Sequence, residues 1–334
     1  MLAYRKDNRS GEGKSSVRGG KRDSIIEDVK ILLAGGTGFV GRYLRWRLAE
    51  AGHEVLVLTR RQNPDLPRDS QVLWDGKTVA EPWLAAAGNC AAWINLCGEP
   101  VADARWTKAR KALLTESRLD PTRAMVCAIA KLSSRPKVLI NASAMGYYGD
   151  AGDKAVDENF SSGKGFLAEL CVAWEGEALK ASALGVRTVC LRLAAVLGRG
   201  GGLLGRLAPV FRLFLGGPLG SGRQWLPWIS REDAAGLVAH ALQADISGGV
   251  NAASPMPVTN RDFCAALGRA LDRPSRLRVP ALALRLGLGE LSSMLLAGQK
   301  AVPKKALESG YVFKQPDIDA ALRAELLGSR EDFC

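Results

Sequence analysis

Histidine is almost missing from this chain: of 334 residues only His53 and His240 are histidines, and they lie far apart. That excludes a histidine-rich metal site, so no metal is expected, and no histidine general base is expected either. No two of the seven cysteines form a Cys-x-x-Cys pair. Most lie inside apolar segments, where cysteine behaves as a small hydrophobe, which points to a reduced, cytoplasmic setting. Long apolar runs are absent as well. The best stretch, 279–291, is broken by Arg285 and too short to span a bilayer, so no membrane partner is expected. Aromatic residues make up only 6% of the chain and do not interleave with a basic stripe. The net charge of +12 is therefore read without a nucleic-acid partner. Part of the excess sits in residues 1–22, where seven Lys and Arg face two acids. Residues 1–28 are polar, Gly/Ser-rich and without hydrophobic periodicity, and are expected to form a disordered extension.

From Val29 a different pattern begins. An apolar run at 29–34 leads into a glycine loop, a helical stretch at 40–51, and a second apolar run, EVLVLT, at 54–59. This is a strand, glycine loop, helix, strand unit. Further strands are expected at 71–74, 91–95, 137–142, 187–193 and 250–253. Helices are expected at 108–118, 121–132, 166–183 and 232–243. Alternation of this kind predicts an α/β fold, a doubly wound parallel (Rossmann) sheet, with a smaller, mostly helical C-terminal domain on the substrate side. The nucleotide-binding domain is expected at 29–196 plus about 231–256, and the smaller domain at about 197–230 plus 257–330.

The loop reads Gly35, Gly36, Thr37, Gly38, Phe39, Val40, Gly41. One glycine permits the tight turn, one lets backbone approach a pyrophosphate, and one lets helix and strand pack closely. The helix N-terminus then faces the negative charge. The second strand ends Thr59, Arg60, Arg61. A carboxylate that would hold the ribose 2′-hydroxyl of NAD is missing there. Two guanidinium groups stand where a 2′-phosphate would lie, so NADP(H) is the expected cofactor.

The whole pattern resembles the extended short-chain dehydrogenase/reductases, and within them the atypical epimerase family proteins. The resemblance covers about residues 29–325. It rests on GGTGFVG at 35–41, NLCGEPV at 95–101, RW at 105–106, ESRL at 116–119 and SAMGYYG at 143–149. It continues through FLAELCVAWE at 166–175, LRLAAVLGRGGG at 191–202, PWIS at 227–230 with Asp233, LLAGQKAVPKKAL at 295–307 and GY at 310–311. The resemblance implies cofactor contacts at Leu96, Cys97 and Gly98, with Cys97 in place of the usual alanine. It also implies them at Arg118 and at Val196. It implies a substrate-orienting serine at Ser143. It further implies a Tyr-x-x-x-Lys pair on the helix at 166–175, and that pair is missing. Counted from Trp174 and Glu175, its places hold Leu167 and Cys171; one residue earlier they hold Phe166 and Leu170. Tyr147, with Tyr148 beside it, is then the candidate proton donor, and Lys164 and Glu169 are the other groups nearby. Two functions follow. One is an NADP(H)-dependent oxidoreductase or epimerase acting on a small polar or sugar-like substrate, as a possible homodimer. The other is a non-catalytic NADP(H)-binding sensor or scaffold.

Overall fold

A computed structural model of the chain describes residues 29–327. The disorder expected for 1–28 falls outside the described residues. The strands are β1 (Lys30–Ala34), β2 (Glu54–Thr59), β3 (Gln71–Leu73), β4 (Ala92–Asn95), β5 (Val138–Ala144), β6 (Ala155–Val156) and β7 (Arg187–Leu193). Then come β8 (Ala195–Leu197), β9 (Trp225–Leu226), β10 (Trp228–Ser230), β11 (Gly248–Ala252), β12 (Val258–Thr259) and β13 (Lys300–Ala301). The helices are α1 (Phe39–Glu50), α2 (Glu81–Ala87), α3 (Lys108–Lys131), α4 (Phe166–Leu179), α5 (Gly202–Arg212) and α6 (Arg231–Gln243). They continue with α7 (Asn260–Leu271), α8 (Ala281–Leu288), α9 (Ser292–Leu296), α10 (Lys304–Glu308) and α11 (Ile318–Leu327).

Seven strands pair in the order β11-β7-β5-β4-β1-β2-β3, every pair parallel. Helices cover both faces, which is why the inner strands read as almost unbroken apolar runs. Ile31, Leu33, Ile94 and Ile140 pack with residues of α1 and α6 on one face. Leu32, Trp93 and Leu139 pack with Trp83 of α2 and Met125 of α3 on the other. The direction of winding reverses at β1, so the crevice between the carboxyl ends of β1 and β4 is the switch point where such sheets take ligands. A separate core forms from α5, α7, α11 and β10, with Phe211, Phe263, Leu322 and Trp228 at its centre.

Three elements differ from the sequence expectation. The helices expected at 108–118 and 121–132 are one helix, α3, with Pro121 buried inside it. The proline removes only its own N–H, and Thr122 Oγ1 donates to the Arg118 carbonyl at 2.7 Å within the same turn. Helix α4 stops at Leu179 and tightens into a 3₁₀ turn, Lys180–Leu184, closed by Gly185 at φ +81° so that the chain can enter β7. Strand β5 runs past 142 to Ala144, because Ser143 and Ala144 pair with Arg192 and Leu193 of β7.

Candidate functional site

The crevice begins with the loop after β1. Gly35 holds φ +81°, and a Cβ there would lie 2.8 Å from the Leu96 carbonyl carbon. A Cβ on Gly41 would overlap the Gly35 carbonyl oxygen. Both positions bring backbone against backbone. Gly38 differs: a Cβ there would meet only the Gly35 oxygen, at 3.3 Å, so its remaining side is open. Gly38 is the N-cap of α1, offers no side-chain cap, and no acid occupies the first turn. The free amides of an uncapped helix start, with no carboxylate in its first turn, suit a bound anion. Of the neighbouring loop residues, Thr37 is exposed, and Phe39 and Val40 are half-buried. The Phe39 ring is seated against Gly198, Gly201 and Gly202, where any Cβ would strike it. Phe39 therefore ties the loop to the chain after β8, the strand in which half-buried Val196 pairs with Ile229.

At the end of β2, Thr59 is buried and its hydroxyl donates to the Arg61 carbonyl at 2.7 Å, which shapes the turn. Arg60 and Arg61 are exposed. A hollow of about 310 Å³ opens beside Arg60, lined by Leu73, Trp74, Asp75, Thr78 and Trp83. Sequence reasoning missed one further cation. Arg45 of α1 has a buried Nη1 with no hydrogen-bond partner among the described residues. Burial holds its guanidinium below the ordinary arginine range, and neighbouring Arg42 adds to this, with Asp65 of the loop after β2 opposing. The available signal was the pair of arginines three apart in the first turns of α1.

The loop after β4 is braced from below. Asn95 is fully buried; it donates to Thr122 Oγ1 at 2.9 Å and to Asn141 Oδ1 at 2.7 Å, and its own Oδ1 accepts from Cys97 N at 3.1 Å. Leu96 N donates to the Ala34 carbonyl, which joins this turn to β1. Arg118 donates to the Glu99 carbonyl at 2.9 Å and the Leu114 carbonyl at 3.0 Å. Its guanidinium lies against Gly98, so it supports the loop that carries Leu96, Cys97 and Gly98. Burial lowers its pKa. Burial likewise pushes the Cys97 thiol up to about 12.

The far end of the crevice is built on β5, β7 and β11. Their register sets Ser143 beside Arg192 and Arg192 beside Asn251. Ser143 is 2% exposed and donates to Glu175 Oε1 of α4 at 2.6 Å. Arg192 closes a two-pronged pair with the same carboxylate, at 2.8 and 2.9 Å. Its third arm donates to Tyr148 Oη at 2.8 Å. The Tyr148 hydroxyl in turn reaches Asn251 Oδ1 at 2.7 Å. Burial alone would depress Arg192, but its bonds to Glu175 and that charge hold it above its ordinary value. Tyr148 is pushed up to about 12, chiefly by burial, so it is a neutral structural phenol.

Ser143 lies next to last in β5, one residue past the expected end of the strand. The strand continues, alternation turns Ser143 toward α4, and its hydroxyl proton is committed to Glu175. Tyr147 is different. It is half-buried, its ring stacks on the Arg192 guanidinium at 3.5 Å, and its hydroxyl has no hydrogen-bond partner among the described residues.

The structure also separates the two helix registers. A Cβ on Gly146 would lie 3.1 Å from Leu167 Cβ and 3.8 Å from Cys171 Sγ. Leu167 and Cys171 therefore face the end of β5. Phe166 instead meets Trp106, edge-on at 5.3 Å, and Leu170 joins the same cluster, against which Leu167 also packs. Burial pushes the Cys171 thiol up to about 11. Glu169 and Lys164 are exposed. Trp228 is 1% exposed and packs in the second core. Among the described residues no cluster of three or more His, Cys, Asp or Glu could hold a metal ion, and no helix is long and apolar enough to cross a membrane.

A dinucleotide fold with its glycine loop at the switch point, and a substrate end without the tyrosine–lysine pair, defines the class. The model of the NAD dependent epimerase/dehydratase family matches residues 31–253, and the chain belongs to that family. A second model, a domain of unknown function named DUF1731, matches residues 279–325.

More narrowly, the chain is similar to proteins called epimerase family proteins. It is 41% identical over 294 residues to Epimerase family protein Mb2239 of Mycobacterium bovis, covering 87% of this chain and 96% of that one. It is 40% identical over 299 residues to Epimerase family protein SDR39U1 homolog, chloroplastic, of Arabidopsis thaliana, covering 88% and 86%. The crystal structure of human epimerase family protein SDR39U1 (isoform2) with NADPH superposes with a TM-score of 0.81 at 34% identity, covering 90% of this chain and all of that one.

Proposed function

We propose that this protein is an NADP(H)-dependent oxidoreductase or epimerase-type enzyme acting on a small polar or sugar-like substrate. The observation that carries the reading is the open side of Gly38 at an uncapped helix start. A human relative crystallised with NADPH supports the choice of cofactor. Gly35, Gly36, Thr37, Gly38, Phe39, Val40 and Gly41 would form the pyrophosphate turn, and Thr59, Arg60 and Arg61 would take the 2′-phosphate, with Arg45 behind them. Leu96, Cys97 and Gly98, braced by Arg118, would line one wall, and Val196 the other. Held there, NADP(H) would provide hydride chemistry. This chain must then move one proton, and Tyr147 is the group with a free hydroxyl on a firm seat. Ser143 acts from beneath, by fixing Glu175 and through it Arg192, on which Tyr147 rests. The cytoplasmic reading rests on free thiols at Cys90, Cys97, Cys127, Cys171, Cys190 and Cys264. The homodimer reading rests on exposed Leu113 and Val172 on the neighbouring helices α3 and α4.

The second reading, a non-catalytic NADP(H)-binding protein, draws on Leu167 and Cys171, which face the β5 end with no ionisable group suited to proton transfer. One experiment separates the two. NADPH consumption is followed with a panel of carbonyl compounds and sugars, for the parent and for Tyr147→Phe. The enzyme reading expects turnover on some substrate, reduced in Tyr147→Phe by ~10²–10⁴-fold at unchanged NADPH affinity. Equal turnover removes Tyr147 from the chemistry. NADPH binding with no consumption across the panel favours the second reading.

A further inference from the structure

Helix α5 ends in a tight hydrogen-bonded turn. Leu215 N donates to the Val210 carbonyl at 3.0 Å, and Phe214 N to the Phe211 carbonyl at 2.9 Å. At such a helix end the residue after the cap takes a left-handed conformation, and glycine is its usual occupant. Here it is Phe214, at φ +63°. Phe214 is 57% exposed, between Leu213 at 68% and Leu215 at 56%. Leu277 lies alongside, because its N–H donates to the Gly216 carbonyl at 3.2 Å, and it too is half exposed. Backbone preference and the hydrophobic effect both oppose this arrangement, so the fold by itself does not explain it.

The charges around the patch are mostly positive. Arg212 precedes it, and Arg276 and Arg278 flank Leu277. Arg273 sets its guanidinium 4.8 Å from the Phe214 ring centroid. The arginine ion pairs of this part of the molecule are made by other residues, Arg206, Arg231 and Arg269. Asp272 is the only acid within 212–215 and 272–278. Protruding apolar side chains with one guanidinium stacked on Phe214 and further arginines next in sequence, of which Arg278 donates to the Gly220 carbonyl, suit the boundary layer of an anionic bilayer. There the apolar tips enter the acyl edge while the arginines stay at the phosphates.

We propose that the surface around Phe214 docks peripherally on an anionic lipid membrane. The lack of a spanning helix among the described residues does not bear on binding of this kind. The test floats the full chain with vesicles of phosphatidylcholine alone, or of phosphatidylcholine and phosphatidylglycerol in equal parts. The protein is expected to float with the anionic vesicles only, and less so as salt is raised. Phe214→Gly should lower the bound fraction by about fivefold or more. It should also keep or raise the melting temperature, since glycine suits the left-handed turn. Arg276→Glu should weaken flotation as well. The basic stretch at 1–22 is the same in all these proteins, so it cannot create a difference between them. Flotation of Phe214→Gly equal to the parent overturns the proposal, and so does a parent that ignores anionic vesicles. A parent dimer that dissociates in Phe214→Gly, without flotation, assigns the patch to a second copy of the chain and overturns the lipid reading.

Discussion

The two ends of the crevice obey different rules. At the β1 end the groups that matter are backbone amides and the space above Gly38, and any chain that folds this way presents them. At the β5 end the groups that matter are side chains. There Leu167 and Cys171 of α4, one of the two registers in which the resemblance implies tyrosine and lysine, face the end of β5. The polar capacity at the β5 end has gone inward instead, into the buried network of Ser143, Glu175, Arg192 and Tyr148.

The largest effect that would break this contrast is expected at Glu175. Glu175→Ala leaves Arg192 buried without its carboxylate and should cost about 3–5 kcal/mol of stability. Ser143→Ala removes one hydrogen bond and should cost about 1 kcal/mol. Denaturant unfolding measures both, and equal small losses would mean that the network does not hold the β5 end together. Gly38→Val comes next. Its Cβ meets almost nothing in the protein, so the melting temperature should hardly change. NADPH affinity should fall by more than about 1000-fold, because the side chain fills the anion's approach. Calorimetry on a folded variant with parental affinity would move the phosphate site elsewhere.

A smaller change should come from Arg60→Ala. It should weaken NADPH by roughly 1.5–3 kcal/mol and leave NADH nearly untouched, from a parent that binds NADPH at least about tenfold tighter. Equal losses for the two nucleotides would take Arg60 off the 2′-phosphate. The smallest effect is a difference in labelling. Cys171, buried and with its pKa pushed up to about 11, should resist iodoacetamide at pH 7 in the folded protein, while exposed Cys127 reacts. Rapid alkylation of Cys171, read by peptide mass, would show a reactive thiol where a lysine usually works.

Much of this was legible in the chain. Strands β2 and β7 fall at the residues where apolar alternation and flanking turn signals place them. Other boundaries moved where packing overrode local signals. Pro121 reads as a helix break but is carried inside α3, because burial against the sheet outweighs one missing hydrogen bond. Ser143 was legible as a residue of interest but not as a buried one. Its partners Glu175 and Arg192 lie 32 and 49 positions away, and only strand register and helix packing bring them together. Arg45 was legible only as one of two arginines three apart on α1; that its Nη1 is buried without a partner among the described residues is decided by packing.

What the sequence determined by itself is what residue type determines locally. Glycine at 35 and 41 lets backbone lie against backbone, two arginines rather than an acid follow Thr59, and α4 carries neither Tyr nor Lys. What only the tertiary structure decided is direction and company. The face Ser143 turns to, the choice of Leu167 and Cys171 over Phe166 and Leu170, and the exposure of Phe214 all depend on strand pairing and helix rotation. Those are settled by the packing of distant segments, whose contact energies no local stretch of chain encodes.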